Sequence, residues 1–213
     1  MKFRQHLLAL GLGLSLAGPA LATGLDALET FVKGTRSGKA EFTQVVTAPA
    51  REGQVARSKS SSGVFEFLRP SRFRFDYRKP FEQQLVADGQ TVWLYDVDLN
   101  QVTARKQSQV LGSTPAALLA SAPDLKSLEA EFKLSALPEQ DGQQWVQALP
   151  KSRDGQIQSV KIGFKGEQLA TLDILDSFGQ RSVLSFTGFQ ANPSLPADTF
   201  QFKPPKGADV VQQ

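Results

Sequence analysis

The chain has 213 residues, with 24 basic residues against 21 acidic ones, one His and no Cys. Without Cys there are no disulfides, so the core must carry the fold. The near-balanced charge argues against a general nucleic-acid-binding surface.

Lys2 and Arg4 make a positive n-region, Leu7 to Ala17 a short apolar h-region, and Ala20-Leu21-Ala22 an A-x-A cleavage pattern. Together they predict a cleaved secretory signal peptide over residues 1–22, too short for a membrane span, followed by a single domain over 23–213. Cleavage removes Lys2, Arg4 and the lone His6, leaving 22 basic and 21 acidic residues and a mature chain with neither His nor Cys. That excludes Ser–His–Asp and Cys–His catalysis and His or thiolate zinc sites. Carboxylate, Lys, Tyr or Ser–Lys chemistry remains, or no chemistry at all. No later stretch approaches eighteen consecutive apolar residues, so the mature protein is expected to be soluble.

In residues 24–37, Leu25, Leu28, Phe31 and Val32 recur at helical spacing. Lys39 to Thr47 reads as a strand. Residues 48–62, with Pro49, Gly53 and a Ser-Lys-Ser-Ser-Ser run, read as a loop with a short strand near 54–57. Gly63 to Arg78 then packs five aromatics and four arginines into sixteen residues. Phe65 and Phe67 alternate with Glu66, and Phe73, Phe75 and Tyr77 alternate with Arg74 and Asp76. This is strand periodicity with one apolar and one charged face.

Strands are expected at about 63–69 and 72–78, then at 83–87 and 91–96 around the hairpin signal Asp88-Gly89. Another strand is expected near 101–106. Thr114-Pro115 opens a short helix over 114–120, with Leu118 and Leu119 on its apolar side. Further strands are expected near 130–136, 143–149, 157–164, 168–175 and 181–190. A last one is expected at 199–202, with Pro204-Pro205 ending strand pairing. Roughly ten antiparallel strands with two or three short helices predict an α+β, mainly β fold. Its form is one large curved sheet, nearly closed as a barrel, with helices against the concave side.

Phe42-Thr43-Gln44, Leu68-Arg69-Pro70-Ser71-Arg72-Phe73-Arg74-Phe75, Val86 to Asp96, Asp98-Leu99-Asn100-Gln101-Val102, Thr114-Pro115 and Phe200 to Gly207 follow one another in a familiar order. On these motifs the chain resembles the LolA family of periplasmic outer-membrane lipoprotein carriers, over essentially the whole of 23–213. It departs from the family pattern at Val97, where Pro is common, at Phe75, where Trp is frequent, and in the alanine-rich stretch after Pro115.

The resemblance implies an unclosed antiparallel β-barrel capped by helices over an apolar cavity. It implies no catalytic residue, no metal and no cofactor. The implied partners are acylated lipoproteins, an inner-membrane ABC exporter and an outer-membrane receptor, met by a monomer in the periplasm of a Gram-negative bacterium. Carried onto this chain, it makes Phe73 and Phe75 candidates for the acyl cavity or its mouth, residues 114–120 the helical lid and Arg69 a latch on it. Phe65, Phe67, Tyr77, Leu118 and Leu119 join the cavity candidates from their apolar strand and helix faces, and for the strand aromatics the alternative is a filled core. Arg72, Arg74, Arg78 and Lys79 form a basic row that is either a solvated strand face or a docking surface for an acidic partner. Asp96 and Asp98 read better as turn residues than as an acid–base pair. The other readings are a paralogue for a different lipid, a lipoprotein-sensing domain, a carboxylate-dependent hydrolase, or a chaperone that pairs a sheet edge with client strands.

Overall fold

The computed structural model describes residues 23–50, 55–110, 122–152 and 155–213. The predicted signal peptide and the helix predicted at 114–120, with Leu118 and Leu119, lie outside them. Helix α1 (Gly24–Gly34) precedes β1 (Ser37–Thr47), β2 (Ser58–Leu68), β3 (Arg72–Lys79), β4 (Gln83–Ala87), β5 (Thr91–Asp96) and β6 (Gln101–Lys106). Helices α2 (Gln107–Val110) and α3 (Leu125–Glu131) follow. Then come β7 (Phe132–Gln140), β8 (Gln143–Pro150), β9 (Ile157–Lys165), β10 (Gln168–Asp176), β11 (Arg181–Ala191) and β12 (Asp209–Gln212). All twelve strands belong to one sheet in the order β12-β6-β5-β4-β3-β2-β1-β11-β10-β9-β8-β7. Among the described residues β7 and β12 do not pair with each other, so the barrel is left unclosed.

Helix α1 starts at a capping box. Thr23 Oγ1 accepts the Asp26 N–H, and Asp26 Oδ2 accepts the Thr23 N–H at 2.8 Å. The hydrogen bonds from Thr23 hold the Asp26 carboxyl below its usual pKa. Ala27, Leu28, Phe31 and Val32 form its buried face, packed on what is therefore the core face of the sheet. The Asp88-Gly89 hairpin forms where predicted. Asp88 Oδ1 accepts the N–H groups of Gln90 and Thr91, both at 2.8 Å, and Gly89 takes φ +105°.

Several expectations are corrected. The serine run is not a loop: Ser58–Ser62 open β2, which pairs with β1 from Ser37↔Leu68 to Thr47↔Ser58 without a break. Serine there reflects an exposed strand end, not a turn. Residues 55–57 are irregular. Helix α3 has no counterpart among the expected elements; Asp124 caps it by accepting the Ser127 N–H at 2.8 Å, and Leu128 is its buried residue.

The end of the chain also differs. Residues 199–202 form no strand, while β12 lies beyond Pro204-Pro205 and runs parallel to β6. The segment between crosses the sheet's other face. Phe200 is buried, Phe202 stacks on Trp93 with centroids 5.6 Å apart, and Arg74 donates to the Thr199 carbonyl at 3.2 Å. It thereby helps to shelter that face, on which Val86 and Val102 are fully buried.

Candidate functional site

Strand pairing decides which side chains share the concave face. Register places Phe65 beside Phe75, Phe67 beside Phe73, and Phe42 beside both Gly63 and Phe186. Because directly paired residues share a face, these aromatics converge. Phe65 and Phe75 stack with centroids 4.4 Å apart, Phe65 lies 5.5 Å from Phe186, and Phe42 meets Phe75 edge-on at 5.4 Å. Phe31 from α1 sits 6.2 Å from Phe67, 5.6 Å from Phe164 and 5.8 Å from Phe189.

Two glycines make this possible. A Cβ at Gly38 would strike the Phe67 ring, and one at Gly63 would strike the Asp76 carbonyl and crowd Phe42. Phe65, Phe67, Phe73 and Phe75 are thus fully buried against each other. Of the described residues expected at the cavity or its mouth, Tyr77 borders an open one.

That cavity, about 590 Å³, lies toward the end of the sheet where the β1–β2, β3–β4 and β5–β6 connections gather. Its walls include Gln44 and Val46 of β1, Lys59 to Ser61 of β2, Tyr77 and Lys79 of β3, and the turn residues Phe81 and Leu99. The volume falls within the range of roughly 300–1,000 Å³ typical of ligand pockets. Phe81 and Leu99 are 70% and 71% exposed, large apolar side chains held out at the rim. The Tyr77 hydroxyl donates to Gln44 Oε1 at 3.0 Å, and Gln44 Nε2 donates to Ser182 Oγ at 2.8 Å. Burial pushes the Tyr77 phenol up to about 12. Asp96 accepts the Leu99 N–H at 3.1 Å, which fixes the β5–β6 turn, while Asp98 stands on the cavity wall.

Arg69 lies toward the opposite end of the sheet. Its Nε donates to the Thr35 carbonyl at 2.8 Å and its Nη1 to the Ala122 carbonyl. It thereby ties the C-terminal end of α1 to the segment leading into α3. The guanidinium lies 5.5 Å from the Phe31 centroid and 5.4 Å from that of Phe67, within cation–π range. Burial lowers its pKa to about 10, so it stays charged at neutral pH. Nη2 is buried without a partner among the described residues.

The basic row is not uniform. Arg74 is engaged by Asp76 at 2.8 Å and by the Thr199 carbonyl, whereas Arg78 and Lys79 are exposed and Arg72 is half-buried. Sequence reasoning does not single out Phe31, Gln44, Phe81 or Leu99 for the site. Phe42-Thr43-Gln44 stands out as a motif, but nothing local shows that Gln44 reaches Tyr77.

The described residues thus form one open, curved sheet with a buried aromatic cluster on its concave face and a cavity at one end. The family model described as outer membrane lipoprotein carrier protein LolA matches residues 33–203. A protein named outer-membrane lipoprotein carrier protein from Albidiferax ferrireducens is 67% identical over 201 residues, 92% of this chain and 94% of that one. Another of that name, from Leptothrix cholodnii, is 57% identical over 196 residues, 92% of this chain and 89% of that one. The solved structure of an uncharacterized conserved protein from Thermus thermophilus shares the fold at 15% identity, with a TM-score of 0.51, covering 89% of this chain and 97% of that one. The chain belongs to the outer membrane lipoprotein carrier protein LolA family.

Proposed function

We propose that the mature chain, freed of residues 1–22, is a periplasmic carrier with no catalytic residue. In this reading it receives acylated lipoproteins from an inner-membrane ABC exporter and delivers them to an outer-membrane receptor. The observation that carries the reading is the concave face of a family member, packed with aromatic side chains over part of its length and open at one end into a cavity of about 590 Å³.

The physical task is large. Burying acyl chain is worth about 0.8 kcal/mol per CH₂, so several long chains represent gross transfer on the order of tens of kcal/mol. Such chains do not leave a membrane unaided, and a carrier must replace that apolar contact while staying in solution. Phe suits the task because it offers area without a polar atom that needs a partner. Within the carrier reading, Phe65, Phe67, Phe73 and Phe75 are a reserve of apolar surface that a cargo would reach from the Arg69 end, by parting their rings once the latch there opens. Arg78 and Lys79 are the exposed members of the basic row left to meet an acidic partner.

Arg69 is the latch in this proposal. It already spans α1 and the approach to α3, and hydrogen bonds to a charged group are each worth about 1.5–3 kcal/mol net, so they can break and re-form without a nucleotide on this chain. The test is a release assay. Inner-membrane vesicles carrying an acylated lipoprotein and its exporter are incubated with the mature chain and ATP. A soluble complex that forms with the acylated lipoprotein and fails with its unacylated form supports the carrier. No release with a folded chain and a verified exporter overturns it. A folded Arg69→Leu protein is expected to lose loading or onward delivery, and normal transfer by that variant removes the latch from the mechanism.

A further inference from the structure

The concave face changes character at one row. On one side of that row Phe42, Phe65 and Phe75 are in ring contact and fill the space. On the other side lies the open cavity, bordered by Val46, Phe81 and Leu99. Between them runs a chain of hydrogen bonds across three strands, from Tyr77 on β3 to Gln44 on β1 and on to Ser182 on β11. Tyr77 also closes against the aromatic side, its ring edge-on to Phe42 with centroids 5.1 Å apart.

Resting on the carrier reading above, we infer that Gln44, Tyr77 and Ser182 form a polar bar that stops an acyl chain entering from the rim and so sets the chain length this end of the cavity accepts. An alkyl chain that continued past this row would have to separate Tyr77 from Gln44, or Gln44 from Ser182, and offers no hydrogen-bonding group in return. Polar groups parted in an apolar setting lose their partners while water is kept out. The return from a single further buried methylene is smaller than that loss, so the next carbon stays outside. The bar also keeps the Tyr77 ring against Phe42, which holds the aromatic side shut behind it.

The experiment uses the mature chain and one soluble peptide, N-acylated with saturated chains lengthened stepwise, its affinity measured by calorimetry. Wild-type affinity is expected to climb about fourfold for each added methylene and then to level off. Gln44→Leu keeps the approximate size of the side chain without its amide, and Tyr77→Phe keeps the ring without its hydroxyl. In both, once folding is verified by circular dichroism, the rise is expected to continue to longer chains than in the wild type. A role confined to stability would lower the unfolding midpoint and leave the levelling point where it was. A levelling point unmoved in both variants overturns the bar and leaves the carrier reading standing. An affinity that never rises with acyl length in any of the three proteins overturns the carrier reading and the bar together.

Discussion

The two ends of the concave face are built from the same strands and behave differently. Toward Arg69, β2 and β3 place Phe67 beside Phe73 and Phe65 beside Phe75, and the rings leave no room. Toward the rim, the same β1 and β2 present Gln44 beside Ser61 and Val46 beside Lys59, and a cavity opens. A sheet encloses space where its inward side chains are too small or too polar to fill it. One end therefore carries the fold, and the other is free to hold something else.

That contrast is broken most severely by shortening a ring at the packed end. Phe65→Ala removes a side chain in contact with Phe67, Phe75 and Phe186 and is expected to cost about 3–5 kcal/mol, because neighbours in a close-packed core refill a hole only in part. Urea unfolding at neutral pH measures it. A loss far below that range would show that the aromatic cluster collapses readily into the gap, and the two ends would then differ less than their packing implies.

At the boundary the expected effect is smaller and depends on pH. Tyr77→Phe removes one buried hydrogen bond, worth about 1 kcal/mol. The phenol is raised to about 12 from its ordinary 10 because burial disfavours the phenolate. In that interval the folded chain holds a proton that the unfolded chain has released. The contribution is therefore fully present below pH 10 and is lost as pH rises through about 12. Urea midpoints measured across this interval should fall more steeply in the wild type than in Tyr77→Phe. Equal slopes would mean that water reaches the phenol and that Tyr77 belongs to the open end.

Much of this is legible in the sequence, and the failures share a cause. The spans of β4, β5 and β6 follow from local signals, chiefly Asp88-Gly89 and the alternation beside it. Alternation also shows which residues of β3 share a face. It does not show whether the rings on that face line a cavity or fill it, since that depends on what the partner strands place opposite. Ser58–Ser62 reads as a loop because serine is common in turns, but the pairing with Val45–Thr47 and their neighbours overrides that preference. Strand β12 carries just Val210 and Val211 as strand formers, and its partner β6 lies about a hundred residues earlier. The Tyr77–Gln44–Ser182 chain joins three strands far apart in sequence, so no window of sequence contains it.

The smallest expected change in stability falls at the rim, and it sharpens the comparison from the other side. Phe81 is 70% exposed in the β3–β4 turn, so Phe81→Ala should alter the unfolding free energy by no more than about 0.5 kcal/mol. If the cavity mouth takes an acyl chain, the same substitution removes apolar wall that the chain would cover. Affinity for an acylated peptide should then fall by roughly tenfold or less, the size expected for losing part of one aromatic contact. The two measurements pull apart in a way that Phe65→Ala cannot, since loss of the core would depress both. An affinity unchanged in Phe81→Ala, with stability also unchanged, would move the entry point away from the β3–β4 turn. A clear loss of stability would instead make Phe81 a packing residue whose exposed position in the turn understates its contacts.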